Sequence, residues 1–224
     1  MSKKRRRQRS HGNDSESSDE DDQDDEDRDE QYYRWHDVTK VDDYTIFFCG
    51  EITRKNVVTF GRILHSMTRK LQGCAWRQGK QYSDDVITIK LTSDGGECEM
   101  GLMAADLIMN CNAYVTVEIC GTIASAATLL AVGATHQLVM NRHATILVHQ
   151  LSSGVIGKLE DIKDYTKSCL KLDEQMKKLY LSRCPLLKEK KLKKLMKREK
   201  VLNAEEALTF GLIDYIIRPI YDFT

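Results

Sequence analysis

The chain lacks most of the features that would place it quickly. It has no hydrophobic run long enough to cross a bilayer: the longest, at about residues 123–134, is short and interrupted by Ser125, Thr128 and Gly133. The basic start, KKRRRQR at 3–9, is not followed by an apolar segment, so a secretory signal peptide is not expected. The acidity that comes next does not suit an organelle transit peptide either. No G-x-x-x-x-G-K-[ST] phosphate loop occurs, so any dependence on ATP must reside in another protein. The seven cysteines (49, 74, 98, 111, 120, 169 and 184) are odd in number and include no C-x-x-C. No histidine stands at zinc-finger spacing from a cysteine pair. Most of these thiols lie in apolar runs, as buried free cysteines do, which fits a reducing, cytoplasmic setting. Neither metal nor cofactor is expected.

Net charge is also lacking, because 34 basic residues balance 34 acidic ones, but the charges are unevenly spread. DSESSDEDDQDDEDRDE at 14–30 is almost wholly acidic and has too few apolar side chains to offset the entropy of ordering its backbone. Composition therefore divides the chain into a disordered tail at 1–31 and a folded domain at 32–224. The basic cluster could serve as a nuclear address or a nucleic-acid contact, but the acidic block beside it would screen it. A solvated tail is the simpler reading.

Beyond the tail, strands and helices alternate. DYTIFFCGEI (43–52) has the length and residue types of a strand. Val58, Ile63, Leu64, Met67 and Leu71 then recur at helical spacing, with Gly73 as the expected stop and a polar loop after it. VITIKLTS (86–93) alternates, placing Val86, Thr88, Lys90 and Thr92 on one face. A helix over CEMGLMAADLIMNC, a strand over YVTVEIC and one or two strands within HQLVMNRHATILVHQ follow. From 157 to 200 the chain is helical and charged, with Ile162, Tyr165, Leu170, Leu172, Met176 and Leu179 as one apolar stripe and Pro185 as a break. NAEEALTFGLID predicts a short helix capped by Asn203 and stopped at Gly211, leading to a last strand, YIIRP. This order is that of an α/β domain with a mainly parallel sheet.

Three stretches carry possible chemistry. In SDGGE (93–97), adjacent glycines after a strand let a backbone N–H face a ligand, although tight turns are common. In CGTIASAA (120–127), Ser125 lies near a helix start, where free amides favour a developing oxyanion; small-residue packing explains the alanines equally well. His149 ends the strand ATILVH on the same face as Thr145 and Leu147, at the rim of the sheet. His136 and His143 lie among polar residues and are expected to face water. For an acid that could orient a histidine, Asp161, Asp164, Glu199 and Asp214 all qualify. Cys120 belongs to a strand and is expected to be inert.

A Gly-Gly turn, then a strand–glycine–helix with serine, then a strand ending in histidine resembles the proteolytic subunit of the Clp protease. The resemblance runs from 44 to 217 through IFFCGEI, LTSDGGECEMGLMAADLI, VEICGTIASAATLLAVGA, ILVHQLSSGVIGKLEDI and VLNAEEALTFGLIDYII. The acidic tail and QGCAWRQGKQYSD match poorly. The resemblance implies an α/β fold of repeated ββα units in a spiral, shared with crotonase-like enzymes, with a helical handle at about 158–182. It implies a serine endopeptidase that cuts unfolded or short polypeptides inside stacked heptameric rings, fed by a separate ATPase unfoldase. Ser125 aligns with the nucleophile, His149 with the general base, and Gly96 and Ala126 with the oxyanion-hole amides. QLSSGVIG (150–157) resembles the segment bordering the substrate groove.

The chain departs from that pattern in places. Glu199 stands where the family has an aspartate, SDGG replaces SPGG, and IASA replaces AASM. The prolines usual at 94 and 151 are Asp94 and Leu151. These differences leave room for a catalytically inactive ring subunit, although such a subunit would commonly lose Ser125 or His149. The alternative reading is a virus-encoded, virion-associated relative of the same fold that matures capsid or scaffold proteins. Acyl-CoA chemistry on the related fold fits the Ser–His order poorly. KEKKLKKLMKREK (188–200) reads as an amphipathic helix packed on the domain by Leu192, Leu195 and Met196, so neither nucleic-acid nor membrane binding is expected.

Overall fold

The structure, a computed structural model, describes residues 37–218 except Asp43 and Tyr82; the acidic tail and the expected boundary at 31 lie outside the described residues. Its centre is an eight-stranded sheet. The strands are β1 (Val38–Lys40), β2 (Thr45–Phe48), β3 (Val86–Ser93), β4 (Tyr114–Ala124), β5 (Leu138–Asn141), β6 (Thr145–Leu147), β7 (Val201–Leu202) and β8 (Tyr215–Ile217). The main order is β1-β2-β3-β4-β5-β8, antiparallel only between β1 and β2. β3 alternates as its sequence requires, burying Ile87, Ile89 and Leu91 while Val86, Thr88, Lys90 and Thr92 stay half-exposed on the other face.

β4 holds two partners in succession. Val117–Ile119 pair with β5, whereas Thr122–Ala124 pair with β6, which in turn pairs antiparallel with β7. Between these halves the β3–β4 register shifts, and a Cβ on Gly121 would lie 2.7 Å from Thr92 Oγ1. The sheet thus turns a corner, and the end of β4 and the end of β6 emerge side by side. This is the α/β spiral with a helical handle that the sequence leads one to expect.

Six helices complete the described chain: α1 (Arg54–Arg77), α2 (Cys98–Met109), α3 (Ala126–Val132), α4 (Leu159–Arg183), α5 (Glu189–Arg198) and α6 (Ala204–Phe210). Thr53 caps α1 by accepting from Asn56 N. The helix does not stop at Gly73. A single glycine costs about 1 kcal/mol against alanine, and burial of Leu71 and Ala75 on either side offsets it. The chain turns instead at Gly79, where φ is +71°. Val58, expected on the apolar stripe, is exposed; Val57 and Phe60 take the core side, Phe60 edge-on to Phe48. Asn203 and Glu206 form the capping box of α6, and Gly211 ends it with φ +74°.

The long charged region breaks at Pro185 into α4 and α5, and Leu192, Leu195 and Met196 anchor α5 in the core as their spacing predicts. Along α4 only Met176 and Tyr180 are buried, while Leu159, Ile162 and Leu170 are exposed. The stripe is fully covered at one end only; further out, Tyr165 and Leu172 are half-buried, and the Tyr165 hydroxyl is hydrogen-bonded to Ser153.

α2 and α3 pack through small residues: a Cβ on Gly133 would meet Ala105 Cα at 2.8 Å, and one on Gly101 would meet Ala126 O at 2.6 Å. Gly73, by contrast, has nothing within 4 Å of its missing Cβ. Gly73→Ala is therefore expected to stabilise the domain by up to about 1 kcal/mol. Gly133→Ala should destabilise it by about 1–3 kcal/mol through overpacking. Thermal unfolding of the two variants checks both signs.

Candidate active site

The end of β4 delivers Ser125 in a conformation most side chains avoid, with φ 53° and ψ −128°. Such backbone costs about 1–3 kcal/mol and persists only where neighbours fix it. They do so here. Ser125 N donates to Leu147 O (3.1 Å), carrying the β4–β6 ladder one residue further. Ser125 O accepts from Thr128 N (3.0 Å) and from Thr128 Oγ1 (2.5 Å). The alanines around Ser125 are buried, so the half-buried serine is held by a tightly packed frame.

The Gly-Gly turn closes on this frame. Gly95 has φ +102°, and a Cβ there would lie 2.6 Å from Ser125 Cβ and 2.7 Å from Ala124 O. No side chain fits. Gly96 has φ +145°, and its Cβ would strike Ile52 O at 2.5 Å. Three hydrogen bonds pin the turn: Gly95 N to Ser93 Oγ (3.2 Å), Ile52 N to Gly95 O (2.7 Å) and Glu97 N to Ile52 O (2.9 Å). They leave Gly96 N–H without an acceptor among the described residues, and Ala126 N–H is left in the same state.

His149 follows β6. Thr145, Leu147 and His149 are half-buried on one face while Ile146 and Val148 are buried on the other, the alternation expected of the strand. The ring's Nδ1 lies 2.6 Å from Gln150 O. A carbonyl can only accept, so Nδ1 is the donor of this bond, and in the neutral ring the lone pair is on Nε2. Gln150 N donates to Met196 O (3.2 Å), tying this corner to the end of α5.

Glu199 is close by in topology. β6 and β7 pair Ile146 with Leu202 and Leu147 with Val201; Glu199 precedes that pairing by two residues and is exposed. Glu199 caps α5 in left-handed backbone, φ 50° and ψ 42°. No hydrogen bond joins it to His149 among the described residues. The other acids are engaged elsewhere. Asp161 caps α4 by accepting from Lys158 N, Asp164 pairs with Lys167, and Asp214 accepts from Leu138 N (2.7 Å) and pairs with Arg183.

Ser125, Ala126, Gly96 and His149 all line one cavity of about 540 Å³, floored in part by Met176 and rimmed by Glu97 and Glu99. Sequence reasoning missed the Gln150 carbonyl, since main-chain acceptors leave no mark in residue identity. It also missed the packing of Gly95 on Ser125, which the adjacent glycines did signal. Cys98 lies in the same cavity, but burial, with Glu99 and Asp173 nearby, pushes its thiol up to about 11. Burial and then Glu118 push Cys120 up to about 11 as well, so it stays a neutral thiol, as expected of a strand cysteine. His136 and His143 are exposed.

Comparison with known proteins identifies the family. The chain is 31% identical over 131 residues to an ATP-dependent Clp protease proteolytic subunit of Mesostigma viride, covering 58% of this chain and 57% of that protein. It is also 31% identical over 139 residues to ATP-dependent Clp protease proteolytic subunit 2 of Pseudomonas aeruginosa, covering 60% and 67%. The match thus spans a little over half the length of the first relative and two thirds of the second. A ClpP1 point mutant from Listeria monocytogenes shares the fold, with a TM-score of 0.67 at 21% identity over 80% of this chain and 93% of that one. With residues 44–219 matching the Clp protease family, the chain belongs to that family.

Proposed function

We propose that the protein is a serine endopeptidase that hydrolyses peptide bonds in unfolded or short polypeptides within a chamber built from copies of itself. One observation carries this reading: Ser125 on strained backbone, His149 with a free Nε2, and two unpartnered amides line the same cavity. Nε2 takes the Ser125 proton as Oγ attacks the scissile carbonyl, and the amides of Gly96 and Ala126 receive the developing oxyanion. The imidazolium then protonates the leaving amine, and water hydrolyses the acyl-enzyme by the same steps. An inactive subunit would have no use for the strain at Ser125 or for the crowded glycine turn.

The tautomer of His149 needs a fixed acceptor at Nδ1, and the Gln150 carbonyl supplies it. Glu199, two residues before the strand that pairs with β6, adds negative charge on that side of the imidazolium. The relatives are named as ATP-dependent, and this chain has no phosphate loop, so ATP use would belong to a separate unfoldase. The exposed Leu159, Ile162 and Leu170 along α4 suit contact with another copy, as in stacked rings.

A fluorophosphonate should label Ser125 alone, as mapped by peptide mass spectrometry, and labelling should vanish in Ser125→Ala and His149→Ala. An unlabelled wild-type protein that has assembled would reject the peptidase reading. Glu199→Gln is expected to lower kcat by less than about tenfold, because Nδ1 keeps its carbonyl. Loss of an orienting aspartate elsewhere costs about 10⁴, and a drop of that size would assign the orienting role to Glu199. Leu170→Glu should reduce the assembled mass in sedimentation without lowering the helix content.

A further inference from the structure

Ser125 and Ala126 share one peptide unit, whose two polar ends point in opposite directions. Its N–H is the Ala126 donor aimed at the cavity; its carbonyl faces inward and is braced there. Thr128 Oγ1 donates to Ser125 O (2.5 Å), and the same hydroxyl is hydrogen-bonded to Tyr180 OH. Thr128 has one proton and gives it to a carbonyl that can only accept, so Tyr180 must be the donor to Thr128. The relay runs one way, from Tyr180 through Thr128 to Ser125 O.

Both hydroxyls are sealed from water, Tyr180 at 1% exposure and Thr128 at 2%. Burial raises the phenol's pKa well above its usual value, so it keeps its proton throughout any working pH. Tyr180 stands on the buried base of α4. One turn away Met176 touches Cys98 Sγ (3.2 Å), two residues beyond Gly96, at the start of α2. The inner end of the handle thus touches both the segment behind Ser125 and the start of α2, just after Gly96. Apolar packing alone would not need the phenol oxygen, whose place in the core is justified by the bond it makes.

We propose that Tyr180 and Thr128 are positioning residues that aim the Ala126 amide by bracing the Ser125 carbonyl, and so link the seating of the handle helix to oxyanion stabilisation. Neither touches the substrate. The proposal rests on the serine peptidase reading above.

The test compares wild type with Tyr180→Phe, Thr128→Val, Thr128→Ser and the Phe/Val double variant in the full-length protein. The readouts are kcat and KM on a fluorogenic short peptide amide, and the Ki of a peptide boronic acid of matching sequence, whose tetrahedral adduct needs the oxyanion donors. Outright removal of such a donor costs about 10²–10³ in kcat, so losing its brace is expected to cost about tenfold. Tyr180→Phe and Thr128→Val should each lower kcat by that factor with KM unchanged, and the boronate Ki should rise in parallel. The double variant should be no worse than either single one, and Thr128→Ser should retain activity. Full kcat in both single variants, additive losses, or losses that appear only where sedimentation shows disassembly would overturn the brace. An assembled wild-type protein that neither turns over the peptide nor labels at Ser125 would instead remove the peptidase reading, and the brace with it.

Discussion

The contact on which the rest of the site depends is the one between Gly95 and Ser125. Two strands end there, each in backbone that side chains resist, and the missing Cβ of one makes room for the Cβ of the other. A methyl group at Gly95 would push the serine out of its turn, and a relaxed φ at Ser125 would swing its hydroxyl away from the cavity. Neither turn is stable alone. Each is held by bonds from outside: Ile52 and Ser93 for the glycines, Leu147 and Thr128 for the serine. The conformational cost is small beside the burial around it, because full burial of one leucine or isoleucine side chain contributes about 1.5–3 kcal/mol. Many such residues surround the two turns.

The sheet's corner makes that contact possible. A strand straight enough to pair with β5 along its whole length could not also present its last residues to β6. The register shift beside Gly121 lets β4 do both, so Ser125 and His149 leave neighbouring parallel strands in the same direction. Helix packing then sets the depth of the cavity. Close approach of α2 to α3 through Gly101 and Gly133 brings the glycine turn and the serine turn onto one wall. Small residues in this region are therefore structural, and on the function proposed above they are chemical as well, so the two explanations of the alanine-rich segment do not compete.

Much of this was legible in the chain, and the illegible parts share a cause. Alternation in VITIKLTS, the capping box at Asn203 and the rim position of His149 all follow from local periodicity, which the tertiary structure keeps. The stop at Gly73 failed because tertiary burial of Leu71 and Ala75 outweighs a weak local preference. Val58 failed for a similar reason: Val57 beside it is equally apolar, and spacing alone chose the wrong face. The acid was the least legible element. Four carboxylates were eligible by sequence, and only pairing shows that Asp161, Asp164 and Asp214 are engaged in a cap or in ion pairs away from the cavity. The carbonyl that holds Nδ1 belongs to the backbone and could not be read from residue identity at all.

Strain offers a second way to read the remaining acid. Among the described residues, only Ser125 and Glu199 combine a side chain with positive φ. A helix cap in left-handed backbone normally carries glycine, which adopts it without steric penalty, or asparagine. A glutamate there is kept at some conformational cost, two residues before the strand that pairs with β6. The same cap ends α5 three residues after Met196, which accepts a hydrogen bond from Gln150, whose own carbonyl holds the ring. The backbone that holds the imidazole and the backbone that carries Glu199 thus meet at one small junction. On the function proposed above, the longer reach of glutamate is not a defect: with Nδ1 already held, the acid would need only to stabilise charge from a distance, and that constrains its length far less than a direct hydrogen bond would.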